Sequence, residues 1–308
     1  MTLVSQQKRK RRISSSRVSK GDRIFTTIAV SAVSLLTVIV LLPMINVVAA
    51  SFSAPAAVNA GKVYLWPVNF SFQNYKTILS YQSVWMGYRN TIFYTAVGTF
   101  INVAMTMICA YPLAQRSFSG RKVLSMLFFI PMIFKGGMIP NYMLMRDLDF
   151  INKVWSILLP GAINIYNMIV ARTFIQSTIP ESLEEAARID GCSPARYFVS
   201  FVLPLSKTII AVIAMYYAVA HWNDYFNAFL YINKRELYPL QLFLREILVN
   251  SQFDASVMSD PEAARQLQGL ADTLKYVIIV VATLPLMCIY PFVQKYFIKG
   301  VMIGSVKG

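Results

Sequence analysis

The chain has 308 residues, 56% of them hydrophobic and only 14% charged, with a mean hydropathy of +0.52. A soluble domain of this size carries about a quarter charged residues, so the composition excludes an ordinary soluble fold and places the chain in a bilayer. The net charge of +15 gathers at one end and in a few connections, which reads as a topology signal or a contact with anionic membrane lipid, not a nucleic-acid surface.

In chain order, the basic tail 1–23 comes first, with Lys8, Arg9, Lys10, Arg11, Arg12, Arg17, Lys20 and Arg23. Cationic segments stay in the cytoplasm, so the N-terminus is expected inside. Within the uncharged stretch Ile24 to Gly61, the apolar run Ile24 to Ala50 is too long for the core of a signal peptide and reads as a retained first span. An outward-facing segment 51–88 follows, with Leu65-Trp-Pro67, Asn69 and Asn74-Tyr75, and is expected to be ordered. Further spans are read from Asn90 to Gln115, from Val123 past Lys135 to Met145, from Val154 to Ala171, from Thr208 to Asn223 and from Tyr276 to Gln294. Most of these supply the roughly 20 apolar residues a crossing needs, while the fourth and fifth are short or interrupted and borrow flanking residues such as Arg172-Thr-Phe-Ile175 and Tyr197 to Lys207. The expected fold is an all-α polytopic membrane protein of six transmembrane helices, with its permeation domain at 24–298 and a cytoplasmic tail at 299–308. Arg116, Arg121 and Lys122 mark the second connection as cytoplasmic, and Lys295, Lys299 and Lys307 do the same for the C-terminus. The second long outward segment, 233–272, is read as a loop on which a partner sits or as a solvated surface.

The loop 177–197 is the most distinctive stretch. Glu181, Glu184 and Glu185 sit near the positive end of a helix that Pro180 starts, and Glu184 and Arg188 are spaced to pair along one face. Ala186 and Ala187 keep that helix slim, and Gly191 after Asp190 supplies a left-handed stop. Ser193 and Pro194 then cap and open a second helix. The local pattern fits a docking element or an amphipathic connector between spans.

Three polar features lie within the apolar spans. Asp224, in His221-Trp222-Asn223-Asp224, is costly at membrane depth unless it faces water or protein, and reads as a pathway group or a buried link between helices. Lys135, before Gly136 and Gly137, faces a polar cavity or snorkels to the interface. Asn164, Tyr166 and Asn167 follow Pro160-Gly161 and either line a pathway or bond between helices. No cofactor is expected on this chain. Cys109, Cys192 and Cys288 form no disulfide framework, His221 is the sole histidine, and no Gly-x4-Gly-Lys-[Ser/Thr] stretch is present to cradle a nucleotide phosphate.

Glu185-Ala-Ala, Gly191 and then Phe201-Val-Leu-Pro204 resemble the cytoplasmic loop of ATP-binding-cassette importer permeases. With Trp222-Asn-Asp224 and the tail Lys299-Gly-Val-Met-Ile-Gly-Ser-Val-Lys-Gly308, the chain resembles carbohydrate permeases of the maltose type, in the branch serving oligosaccharides and polysaccharide fragments. The likeness runs from about Ile24 to Gly308, with Phe201 where the loop pattern usually has Ile. It implies a MetI-like permease core whose coupling helix spans Glu181 to Gly191, and a tail of Gly304, Ser305, Val306, Lys307 and Gly308 reaching between ATPases. It also implies a second related permease, two ATPases that hold ATP and magnesium, an extracytoplasmic solute-binding protein and a saccharide substrate. An ion-coupled carrier or membrane enzyme acting through Asp224 and Lys135 is the alternative.

Overall fold

The computed structural model describes residues 20–134, 136–257, 272–291 and 294. Lys135, the basic residues through Arg17 and the tail 299–308 lie outside the described residues. Regular structure among the described residues is helical, apart from an isolated antiparallel bridge between Ser53 and Phe70.

The first half of the chain forms α1 (Lys20–Ser51), α2 (Pro55–Asn59), α3 (Gln73–Ser80), α4 (Gln82–Ala114), α5 (Arg121–Ile133), α6 (Met138–Asp147) and α7 (Trp155–Leu158). The second half forms α8 (Ile165–Thr178), α9 (Glu181–Ile189), α10 (Pro194–Tyr197), α11 (Leu203–Leu205), α12 (Lys207–Trp222), α13 (Phe226–Tyr231), α14 (Leu240–Val257) and α15 (Asp272–Pro291). Of these, α1, α4 and α15 are each long and apolar enough to cross a membrane. Two bent pairs raise the number to five if each is one span: α5 with α6, bent by 117°, and Pro194–Leu205 with α12, bent by 80°.

The second bend has a chemical cause. Pro204 has no N–H to continue the ladder, and the chain widens into a π-type turn over Phe198–Val202 before restarting at α12.

At the centre of the bundle, α4 packs against α8, α12 and α14. Its buried residues recur every three or four positions through Gly87, Thr91, Tyr94, Gly98, Asn102, Thr106 and Ala110, so one face is turned inward and is lined with small or polar groups. A Cβ on Gly87 would lie 2.8 Å from Leu240 Cα, and one on Gly98 would lie 2.4 Å from His221 Nε2. The backbone of α14 therefore approaches α4 closely at Gly87, and Gly98 makes room for the His221 ring of α12. By contrast, α1 buries only Ala49, Ala50 and Ser51, at its end, leaving an apolar helix for lipid or a partner.

Long-range hydrogen bonds fix the layers. Tyr88 Oη donates to Val281 O at 2.6 Å and Trp222 Nε1 to Ala282 O at 2.9 Å, holding α4 and α12 to α15. Asn90 Nδ2 donates to Glu236 O and Tyr238 O, and Thr91 Oγ1 accepts from Leu240 N, so the connection into α14 is stapled to α4. In the segment after α1, Phe52 stacks on Phe70 and Tyr75, and Tyr75 shares a 2.8 Å hydrogen bond with Ser51. Burial pushes the Tyr75 phenol above its ordinary pKa, against the lowering effect of that hydrogen bond.

The fourth span is interrupted beside Pro160-Gly161 as its sequence suggests: α7 ends at Leu158, Gly161 takes a left-handed φ of 84°, and α8 starts at Ile165. Two other boundaries differ from expectation. The first helix ends at Ser51, where the outward segment is expected to begin, but α4 begins at Gln82, inside that segment. The loop read at 233–272 contains α14, where Leu240, Phe243 and Leu244 are buried against α4. An amphipathic pattern that buries against a neighbour's glycine is a tertiary effect, which a local scan for apolar runs passes over.

Candidate functional site

The loop after α8 is built as its residue types demand. Pro180 takes the N-cap position, one earlier than a first-turn proline, with an extended ψ of 139°. At the far end Cys192 N donates to Ala187 O and Gly191 N to Arg188 O, the double bond pattern of a Schellman stop, with Gly191 at a left-handed φ of 72°. Ser193 Oγ then accepts from Arg196 N and Pro194 opens α10. Leu183, Glu184 and Ala187 turn inward, where Leu183 and Ala187 join the cluster of Ala110, Ile175 and Tyr197. Glu181, Glu185, Ala186, Arg188 and Asp190 face outward, and Ile189 is 85% exposed.

Polar contacts lock α9 to the end of α4, and α8 to the same end. Gln115 Nε2 donates to Glu184 Oε1 at 3.0 Å and to Tyr111 Oη at 2.6 Å, while Gln176 Nε2 donates to Ala114 O at 3.1 Å. Arg188 Nε lies 3.9 Å from Glu184 Oε1, so the expected intrahelical pair forms at the edge of ion-pair range and Gln115 is the closer partner. Arg116 pairs with Glu181 at 3.4 Å. Between these ends lies a cavity of about 650 Å³ lined by Tyr111, Gln115, Arg121, Gln176, Glu185 and Arg188 among others.

At the opposite end of α12, Asp224 is half-buried. Its Oδ1 accepts from Asn227 N at 3.2 Å and its Oδ2 from Asn227 Nδ2 at 2.8 Å, so the carboxylate holds the start of α13. Asn223 is exposed and donates back to Val219 O at 2.9 Å. Trp222 is buried, pinned to α15 and near Tyr88, which makes it an interhelical post.

Asn164 caps α8 by accepting from Asn167 N at 3.1 Å, and its own N–H donates to Tyr217 Oη at 2.9 Å. Tyr217 Oη also shares a 2.7 Å hydrogen bond with Thr106, so one hydroxyl joins α4, α8 and α12. Asn102 Nδ2 donates to His221 Nε2 at 3.2 Å in the space that Gly98 leaves. The structure thus brings Asn164 and Asn167 together and leaves Asn223 and Asp224 at a separate place. Thr106, Asn102, Tyr217, Gln115 and Gln176 were missed by sequence reasoning; their signal was only a polar residue recurring on an apolar helix. Among the described residues no group of three or more His, Cys, Asp or Glu side chains could hold a metal ion.

A helical bundle with long apolar helices and a short polar helix locked to one end defines a polytopic membrane protein. Residues 80–303 match the family described as binding-protein-dependent transport system inner membrane component, and the chain belongs to that family. It is therefore a transport subunit in a membrane rather than an enzyme. Over 290 residues it is 38% identical to protein LplC of Bacillus subtilis, covering 94% of this chain and 97% of that protein. It is also 38% identical to the polygalacturonan/rhamnogalacturonan transport system permease protein YtcP of Bacillus subtilis, covering 93% of this chain and 99% of YtcP. A solved bacterial ABC transporter involved in the import of the acidic polysaccharide alginate contains a chain 34% identical to this one, with a TM-score of 0.79 and coverage of 91% and 98%.

Proposed function

We propose that the chain is the permease subunit of an ATP-driven importer for oligosaccharides or polysaccharide fragments. The observation that carries this reading is the nearly end-to-end likeness to the alginate transporter chain, and the naming of YtcP as a polygalacturonan/rhamnogalacturonan permease points to the same substrate class.

In this reading α1, α4, α5 with α6, α8, α12 and α15 supply six spans with both termini cytoplasmic. Arg116 and Arg121, beside α9, supply the positive charge that keeps this end inside. The α9 helix is the coupling element: its outward Glu181, Glu185, Ala186, Arg188, Ile189 and Asp190 meet the ATPase, while Glu184 and Ala187 hold it to the bundle and Gly191 reverses the chain. A lever of this kind must be short and anchored if ATPase closure is to bias two arrangements of the spans. Glu185 is free to accept charge-assisted hydrogen bonds from the ATPase.

A second related permease completes the pathway, two ATPases hold ATP and magnesium, and a solute-binding protein delivers the saccharide from outside. The tail Gly304, Ser305, Val306, Lys307 and Gly308 reaches between the ATPases. Lys135, Asn164, Asn167, Asn223 and Asp224 line or border the pathway, with Trp222 supporting it from behind.

The test is purification of the complex from membranes followed by measurement of saccharide-stimulated ATP hydrolysis in proteoliposomes. An ATPase and a second permease are expected to co-purify, and stimulation is expected to require the binding protein. A chain that purifies alone and moves its solute without ATP overturns the reading.

A further inference from the structure

The outer end of α12 carries a cluster not used above. The Arg245 guanidinium on α14 lies 4.7 Å from the ring centroid of Phe229 and 5.8 Å from that of Tyr225. All three residues are exposed, with Tyr225 at 42% and Phe229 at 52%. The clamp sits directly after Asp224, whose oxygens are engaged by Asn227.

Among the described residues, no carboxylate lies within ion-pair distance of Arg245. The neighbouring acid is turned elsewhere: Glu246 holds Arg235, with both carboxylate oxygens 2.9 Å from its Nη2. An arginine is costly against hydrocarbon, so the face bearing Arg245 and the two rings is turned to water or protein rather than to lipid tails. The rings hold the cation by cation–π attraction without using its N–H donors. What remains is a preorganised fork of donors above two exposed aromatic surfaces. That combination matches a sugar ring bearing a carboxylate: the planar fork binds the acid bidentately, and the apolar C–H face of the sugar lies on an aromatic ring.

We propose that Arg245, clamped over Tyr225 and Phe229, is a subsite for the carboxylate of an acidic saccharide of the uronate class at the outer mouth of the pathway. The proposal rests on the reading of the chain as a saccharide importer permease with this end outward. It adds the residue that senses the charge of the substrate. The carboxylate arrives ionised, exchanges water for the guanidinium donors and leaves unchanged, so no covalent step is involved. Lysine at this position keeps the charge but loses the fork, and glutamine loses both.

The test compares the complete importer carrying Arg245, Arg245→Lys or Arg245→Gln, reconstituted in proteoliposomes with its binding protein, ATPases and second permease. Uptake per assembled complex is measured for a uronate oligosaccharide and for its methyl-esterified neutral form, in neutral and in anionic lipid. Arg245→Gln is expected to slow uptake of the acid by about tenfold or more, with Arg245→Lys intermediate and the neutral form changed by less than about twofold.

Equal loss for both saccharides makes Arg245 a structural strut and overturns the proposal. So does no loss, or a loss that follows lipid charge instead of saccharide charge. A wild-type importer that carries neutral saccharides but refuses the acid overturns this inference alone. One that carries no saccharide at all overturns the proposed function with it.

Discussion

The two ends of α12 are finished in different ways. Near its start, α9 is tied to other elements by side chains far apart in sequence, Gln115 to Glu184 and Arg116 to Glu181, and the neighbouring α8 is tied to α4 by Gln176 to Ala114 O. Near its end, the Asp224 carboxylate accepts from Asn227, three residues on, and Arg245, Tyr225 and Phe229 stay exposed. Cross-linking resists bending and suits an element that passes on a push. Exposed donors and rings suit a surface that receives a ligand. If the contrast is functional, substitutions at the first end should uncouple the machine, and those at the second should change what it carries.

The sharpest way to break the contrast is Gly191→Pro. Proline fixes φ near −65°, against the observed 72°, and removes the N–H that donates to Arg188 O. Backbone strain of this kind costs about 1–3 kcal/mol, concentrated in the turn that presents α9. Uptake should be nearly abolished while the chain still inserts into membranes, with saccharide-stimulated ATP hydrolysis lost in the reconstituted complex. A Cβ at Gly191 meets nothing within 4 Å, so Gly191→Ala tests the conformation alone and should be milder. Normal stimulation in the proline variant would reduce α9 to an ordinary connector.

Next in size is Gly98→Val, which tests whether the middle of the bundle belongs to either end. Its Cβ would meet the buried His221 ring, and overpacking of that kind costs about 1–3 kcal/mol. Thermal unfolding of the purified complex should shift downward. Combining Gly98→Ala with His221→Ala should restore part of what each loses singly, because one change vacates the space the other fills. Strict additivity would show that the two residues do not share this contact.

The legibility of the two ends also differs, for physical reasons. In α9 every signal is local: proline before the helix, acids in its first turn, glycine at its stop, serine before the next helix, and the structure has a helix, reversal and cap there. What holds α9 in place was not legible, because Gln115 and Glu184 are separated by 69 positions and a lone glutamine at a span end has many possible partners. The interruption of the fourth span was legible too, because Pro160-Gly161 is local punctuation and the helix breaks there. The α14 helix was hidden because its burial depends on Gly87, a residue on another helix whose missing side chain leaves the room. Asp224 was legible as unusual but not as the group that holds α13, since that depends on Asn227 turning both its donors back.

A smaller effect is expected for Asp224→Asn. The amide oxygen can still accept from Asn227 N, but the second acceptor and the charge are gone. Uptake should fall by roughly three- to tenfold, the scale of one weakened charge-assisted hydrogen bond, with the complex still recovered whole. Loss of assembly with unchanged uptake per assembled copy would move Asp224 to the structural side of the comparison.

The smallest effects separate two ties that look alike on paper. Arg116 and Glu181 form an ion pair at 3.4 Å, but their side chains are 79% and 57% exposed. Such a pair is screened and costs side-chain entropy, so Arg116→Ala should change stability by no more than about 0.5 kcal/mol. The Glu184 side chain is 22% exposed and accepts from Gln115 at 3.0 Å, so Glu184→Ala should cost about 0.5–1.5 kcal/mol. The loss is limited because Gln115 keeps its hydrogen bond to Tyr111. Saccharide-stimulated ATP hydrolysis should follow the same order, with Glu184→Ala loosening α9 and Arg116→Ala leaving coupling near normal. If Arg116→Ala proves the more damaging, the exposed charge on this end is engaging another chain, and the anchoring of α9 lies in that contact rather than in the half-buried glutamate.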